Sequence, residues 1–139
     1  MALLRTREAV MQHFRPVLSE HALTEQQWRV LRALSSLASI EATQLARLAC
    51  LLPPSVSRIS RDLLERGLIH RSSDPRDQRR SLLSISRKGR GIIATVAPQF
   101  ETAYATIERR FGSARLLTLQ RLLAELESAL SGPESTDQG

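Results

Sequence analysis

The chain has 139 residues, 42% of them hydrophobic, which is long enough for one domain with a core of its own and too short for two. No apolar run approaches the roughly 18 residues of a membrane span, and no basic-then-apolar leader precedes a small-residue cleavage site, so neither a membrane nor a secreted protein is expected and the cytoplasm is. One cysteine, Cys50, and three scattered histidines, His13, His21 and His70, give no intramolecular disulfide and no zinc spacing, whereas the net charge of +6 favours acidic partners.

The N-terminal stretch reads as helix. Leu3, Leu4, Val10, Met11, Phe14, Val17 and Leu18 recur at three- and four-residue spacings up to the interruption at Pro16 and just past it. The next helix, expected over about 25–37, has a complete start: Thr24 and Gln27 form a capping-box pair, and Leu23 and Trp28 stand where a hydrophobic staple closes over it. A shorter pattern comes next, over 41–49, with Ala42, Leu45, Ala46 and Ala49 on one face. Small residues there let a second helix cross closely.

That second helix is the best marked. Pro53 and Pro54 suit only a first turn, where the missing backbone donors are unpaired anyway, and Gly67 suits the left-handed residue just past the end. At roughly 100° per residue, Val56, Ile59 and Leu63 form one apolar face. Arg58 and Arg61 then lie on the opposite side, with Ser55 and Ser57 on its flanks near the N-terminus. Helix, tight turn through Cys50-Leu51-Leu52, and helix is the order in which the second helix enters a major groove. The bland reading is two core helices of a small bundle.

Residues 68–86 favour the groove-entering helix over the bundle. Leu68 and Ile69 open a strand, and Leu83 and Ile85 alternate with Ser84 and Ser86 as in a half-buried strand. Hairpin loops usually run about 2 to 5 residues, so the longer connection Ser72 to Arg80, with three arginines and two aspartates, calls for a function. An Arg-rich tip can reach into a narrow minor groove. Charge supports this: residues 52–90 carry ten Arg or Lys against four acids, while 1–51 carry six against four and 91–139 four against six. Nineteen of the twenty cations are Arg, which suits forked contacts to phosphate and guanine and is equally what a GC-rich genome produces.

Beyond the wing, Ser86 can cap a long helix carrying Ile93, Val96, Phe100, Ala103, Tyr104, Ile107 and Phe111 on one face, with Pro98 predicting a kink or break near 97. The last helix, about 113–130, has leucines at 116, 117, 119, 122, 123, 126 and 130, more apolar surface than one neighbour covers. The unpartnered stripes of the two termini are expected to bury each other across a two-fold axis. The expected fold is mainly α: a winged helix-turn-helix (about 25–89) with a two-stranded β-wing, and dimerisation helices from both termini (about 3–20 and 90–130). It forms one domain over 1–131, and the polar residues 132–139 are expected to be disordered. No phosphate-cradling Gly loop, metal constellation or nucleophile-with-base pattern is present, so no enzyme activity, cofactor or metal is expected. The rival to duplex binding is a winged-helix module for protein or RNA.

The order of elements resembles the MarR family of winged-helix repressors over residues 1 to about 131. The carriers are the wing string Asp74-Pro75-Arg76-Asp77-Gln78-Arg79-Arg80 and the adjoining Ser86-Arg87-Lys88-Gly89. Arg7-Glu8-Ala9-Val10, Phe14-Arg15-Pro16, Leu23 to Leu31 and Ala49 to Ser55 are similar to its HpaR branch, repressors of homoprotocatechuate degradation. The resemblance implies a homodimer on double-stranded DNA, recognition helices in adjacent major grooves of a near-palindromic operator and wings in the flanking minor grooves. By motif position it makes Arg79 the wing-tip arginine of the minor groove and Asp77 the carboxylate that holds it, with Ser55, Ser57, Arg58, Arg61 and Arg80 completing the DNA-binding set. Gln78 stands where many members have another Arg. The resemblance further implies a phenolic or aromatic carboxylate effector, for which His13, Arg15 and Trp28 are the candidates, although Trp28 already has a staple role and Arg15 can cap a helix end.

Overall fold

The computed structural model describes residues 1–132, so the disordered tail expected from the sequence lies, from residue 133, outside the described residues. Seven helices and three strands run in the order α1 (Ala2–Met11), α2 (Arg15–Glu20), α3 (Glu25–Ser35), β1 (Ile40–Glu41), α4 (Ala42–Leu48), α5 (Pro53–Glu65), β2 (Ile69–Ser73), β3 (Ser81–Ile85), α6 (Arg87–Phe111) and α7 (Ser113–Ser131). The fold is a mainly helical winged helix, as expected. Two compact units are distinguishable, residues 1–101 and residue 102 onward.

In the first unit the core is built on α3, α4, α5 and the sheet, with Leu31, Leu34, Leu45, Leu63, Leu68 and Leu83 almost fully enclosed. The capping box at the start of α3 is complete: Gln27 N donates to Thr24 Oγ1 (3.1 Å) and Thr24 N to Gln27 Oε1 (3.0 Å). Leu23 and Trp28 are both buried beside it. Pro16 sits in the first turn of α2, so it starts a helix instead of ending one. Pro98 likewise lies inside α6, which runs through it unbroken. In α4 the buried face is Leu45, Ala46 and Ala49, and Ala42 is exposed.

Three helices end the same way. Past α5, Leu68 N reaches Leu63 O (2.9 Å) and Gly67 N reaches Leu64 O (3.0 Å), with Gly67 at φ +72. This is the paired closure that satisfies the last carbonyls through a left-handed residue. The same pair of bonds closes α2, from Leu23 N to Leu18 O and Ala22 N to Ser19 O, and α4, from Leu51 N to Ala46 O and Cys50 N to Arg47 O. The left-handed residues there are Ala22 and Cys50, each at φ +53. A Cβ in that conformation costs about 1 to 2 kcal/mol, part of which glycine returns to the unfolded chain as entropy. Ala22→Gly is therefore expected to raise stability by about 0.5 to 1 kcal/mol in chemical denaturation, and an unchanged or lower midpoint would contradict the strain.

The sheet has three strands in the order β1-β3-β2, both pairs antiparallel. β2 and β3 form the expected two-stranded wing, registered from Ile69 opposite Ile85 to Ser73 opposite Ser81. β1 adds a strand the sequence did not reveal, pairing Ile40 with Leu83 and Glu41 with Leu82. The base of the wing is locked to α6 by Ser86, whose hydroxyl donates to Gly67 O (2.7 Å) and accepts from Gly89 N (3.0 Å). It thus serves as the cap expected of it.

In the second unit α7 is amphipathic without being covered. Leu116 is buried, while Leu117, Leu122, Leu123, Leu126 and Leu130 are exposed. Arg115 lies over the Phe111 ring at 4.4 Å, and Gln120 donates to the Tyr104 hydroxyl (2.7 Å). No helix among the described residues is long and apolar enough to cross a membrane, and no group of three or more His, Cys, Asp or Glu is placed to hold a metal among them.

Candidate nucleic-acid interface

α5 is positioned by its apolar face. Val56, Ile59 and Leu63 are buried as the periodicity predicts, and Ser60 joins them, its hydroxyl without a partner. Arg58, Arg61 and Ser57 are exposed and Ser55 is half-buried. Ser57 Oγ donates to Pro53 O (3.3 Å), which leaves its lone pairs available to accept. Neither Arg58 nor Arg61 has an ion pair or side-chain hydrogen bond among the described residues. Two unpaired guanidinium groups on one face of a 13-residue helix are an attractive surface for phosphate and for guanine edges.

The wing loop, residues 74–80, is two β-turns in series. Asp77 N bonds Asp74 O (3.2 Å) and Arg80 N bonds Asp77 O (3.0 Å), while Asp74 N meets Arg80 O (2.9 Å) to close the loop. Each turn opens on an aspartate whose side chain takes the backbone N–H two residues on: Asp74 Oδ1 from Arg76 N (2.9 Å) and Asp77 Oδ1 from Arg79 N (3.0 Å). Pro75 occupies the second position of the first turn, where its fixed φ is favourable. The motif Asp-Pro-Arg-Asp-Gln-Arg is thus a device for building a stiff tip, and each turn presents one arginine.

Asp77 and Arg80 each have a partner within the protein. Asp77 holds Arg79 by its backbone N–H, not by its guanidinium. Arg80 points back to the body: its Nη1 pairs with Glu41 Oε1 (3.1 Å), and its Nε lies 3.9 Å from Asp77 Oδ2. The unpaired guanidinium groups of the tip are those of Arg76 and Arg79, both exposed. Arg76 was missing from the expected set, although its place two residues after an aspartate, matching Arg79, was a readable signal.

Arg15 forms a two-pronged bond with Glu8 (both 2.9 Å) and lies 3.5 Å from Glu25, which also pairs with Arg7. The Arg15 guanidinium holds the Glu8 carboxyl below the usual carboxylate range, and Glu8 raises Arg15 in return. Arg15 is therefore engaged within the protein. Trp28 packs edge-on against Phe100 (centroids 4.8 Å apart), which also meets Phe14 (4.9 Å). Trp28 borders a depression of about 410 Å³ lined by Arg29, Arg32, Ala33, Leu48, Ala49 and Cys50, to which His13 and Arg15 do not contribute. Arg29 Nη1 donates to Cys50 O (3.3 Å), its buried Nε has no partner, and Arg32 is exposed. The arginines that border this depression are Arg29 and Arg32.

An exposed, arginine-bearing second helix joined through a tight turn to a first, and continued by a stiff arginine-tipped wing, defines a winged helix-turn-helix. Comparison with known proteins narrows this. The profile of the MarR family matches residues 23–81. The chain is 38% identical over 125 residues to the homoprotocatechuate degradative operon repressor of Escherichia coli, covering 90% of this chain and 84% of that one. Among solved structures it is similar to the transcriptional regulator PA4135 (TM-score 0.89, 40% identity, 95% and 96% of the two chains). It is also similar to NadR in complex with 4-hydroxyphenylacetate (0.77, 36%, 90% and 89%), and to the transcriptional repressor CouR bound to a 23-mer DNA duplex (0.85, 26%, 91% and 89%). The chain belongs to the MarR family of DNA-binding transcriptional regulators, which is not a family of enzymes.

Proposed function

We propose that the protein is a homodimeric repressor of a near-palindromic operator, released by a phenolic or aromatic acid. The observation that carries the DNA half is that Arg58 and Arg61 on α5 and Arg76 and Arg79 at the wing tip all present guanidinium groups without an ion pair or side-chain hydrogen bond among the described residues. α5 enters the major groove with Ser55, Ser57, Arg58 and Arg61, and the wing enters the minor groove with Arg76 and Arg79. Arg80 acts at one remove, by tying the wing to β1 through Glu41. Support for repression comes from the operon repressor among the relatives and from CouR on its duplex. The exposed leucines of α7, and Leu3 and Leu4 of α1, are the faces a second copy covers, so that residues 1–131 act as one dimerising domain.

The effector half rests on the depression beside Trp28. An aromatic ring fits against the indole, and a carboxylate fits Arg29 and Arg32. NadR, 36% identical, was solved with 4-hydroxyphenylacetate, and the E. coli relative is named for homoprotocatechuate, both aromatic acids. A coupling of about 1 to 3 kcal/mol between the two sites suffices for release.

The test takes a duplex selected by the protein from a random pool, footprints it, and titrates 4-hydroxyphenylacetate and homoprotocatechuate into the complex. A two-fold symmetric footprint and a 5- to 150-fold weakening, roughly what that coupling delivers, are expected. A footprint that no aromatic acid disturbs would remove the effector half alone. Preference for single-stranded RNA or a protein ligand over any duplex would replace the whole reading.

A further inference from the structure

Burial of Val56, Ile59 and Leu63 fixes which face of α5 meets the core, but attraction between apolar surfaces is non-directional and restrains small rotations about the helix axis less sharply than a hydrogen bond does. Rotation matters. At a side-chain radius of about 5 to 6 Å, turning a helix by about 10° moves an outward group by about 1 Å, enough to spoil a forked contact with a base. Directional bonds restrain such small rotations, and the second half of α5 carries them at two positions one turn apart. Arg66, capping its end, donates to Ala22 O (2.8 Å) and His21 O (3.4 Å) at the end of α2. Asp62 Oδ2 accepts from Gln27 Nε2 at 2.5 Å.

The second bond is unusual in how it is made. Gln27 is the capping-box residue of α3, and its Oε1 is already committed to Thr24 N. That commitment orients the amide, so that Nε2 has one direction in which to point, and Asp62 stands there. One side chain therefore closes the start of α3 and grips α5, and the grip is a charge-assisted bond between half-buried groups.

We propose that the Gln27–Asp62 hydrogen bond sets the rotation of α5 and that Gln27 and Asp62 are positioning residues for operator recognition. The proposal rests on α5 being the helix that reads DNA. Asp62 does not contact DNA in it: the carboxylate between Arg61 and Leu63 holds the arginines beside it in place.

The chemistry supplies a test that separates the grip from the cap. Gln27→Glu retains an oxygen for Thr24 N but loses the donor to Asp62 and sets two carboxylates together. Asp62→Asn removes the charge yet keeps an acceptor, and combined with Gln27→Glu it supplies the missing donor from the other side. Affinity is measured for the selected operator duplex and for an unrelated duplex, with circular dichroism verifying that each variant is folded at the assay temperature. Gln27→Glu is expected to lose about tenfold in the ratio of specific to non-specific affinity, and the double variant to recover to within about threefold of Asp62→Asn. Asp62→Ala, which leaves the capping box untouched, is expected to lose selectivity as well, so the result does not hang on one variant. Arg61→Ala runs alongside. If it lowers selectivity while Gln27→Glu does not, or if the double variant stays as impaired as Gln27→Glu, the grip is dispensable and the proposal falls. If neither Arg61→Ala nor Gln27→Glu moves the ratio, α5 is not the reader, and both readings fall together.

Discussion

Gly89→Ala is expected to lower stability by about 3 kcal/mol or more, a drop of roughly 10 °C in melting temperature for a chain of this size. The position is buried in the first turn of α6. A Cβ there would lie 2.3 Å from Leu68 O and 2.8 Å from Ile85 Cγ1. The first of these is backbone and has no rotamer to change. Leu68 O also accepts from Ser86 N (3.0 Å), so the methyl group can be accommodated only by prising the start of α6 from the base of the wing. The bonds from Ser86 Oγ to Gly67 O and from Gly89 N to Ser86 Oγ would go with it. Gly91, two residues on, is the control. Nothing lies within 4 Å of a Cβ there, and Gly91→Ala is expected to gain about 0.5 to 1 kcal/mol as a better helix former. Thermal melts of the two variants decide it: equal effects would mean that the close approach at Gly89 does not govern stability.

The elements that sequence reasoning placed well are those whose boundaries are chemically forced. Pro53 and Pro54 at one end and Gly67 at the other delimit α5, and Thr24 with Gln27 starts α3, because each meets a backbone need few other residues can. The strands of the wing were legible from the alternation of Leu83 and Ile85 with serines. β1 was not, since two residues cannot alternate, and its strand character comes from β3 beside it. The ends of α2 and α4 were hidden for a related reason: Ala22 and Cys50 occupy left-handed positions that glycine usually announces. The candidate site divides along the same line. Which arginines lie on the outer face of α5 can be read from periodicity. That Arg80 turns to Glu41, 39 positions away, depends on a contact no local pattern encodes, whereas Asp77 serving the backbone N–H two residues on is a local turn pattern that the sequence did carry. Nor does sequence order tell that Leu48, Ala49 and Cys50, at the end of α4, line a depression with Trp28, or that Arg15 is bonded to Glu8.

Arginines on α5 and on the wing are expected to fail differently when removed. Arg61 projects from a helix whose position is fixed by a packed face, so it can form a forked contact with one guanine, and Arg61→Ala should relax preference by about 1 to 3 kcal/mol at defined operator positions. Arg79 sits on a turn tip and reads a groove whose negative potential rises as A·T-rich sequence narrows it. Arg79→Ala should weaken binding and reduce its dependence on flanking A·T content, without a change at any one base pair of the major-groove contact. Arg76→Ala should resemble Arg79→Ala, since the two occupy equivalent places in successive turns. Asp77→Ala should act in the same sense and more mildly, because it loosens the turn that presents Arg79 while leaving the guanidinium in place.

The measurement that bears most directly on the wing and α5 as the DNA-reading surface is operator affinity against salt concentration for the wild type, Arg61→Ala and Arg79→Ala. A steep wild-type slope is expected, flattened in each variant by roughly one unit for each phosphate no longer neutralised, with Arg79→Ala but not Arg61→Ala becoming less sensitive to flanking A·T content. Unchanged affinity and unchanged slope for Arg79→Ala would contradict it, because an exposed guanidinium at the tip of a stiff turn would then be touching no DNA at all.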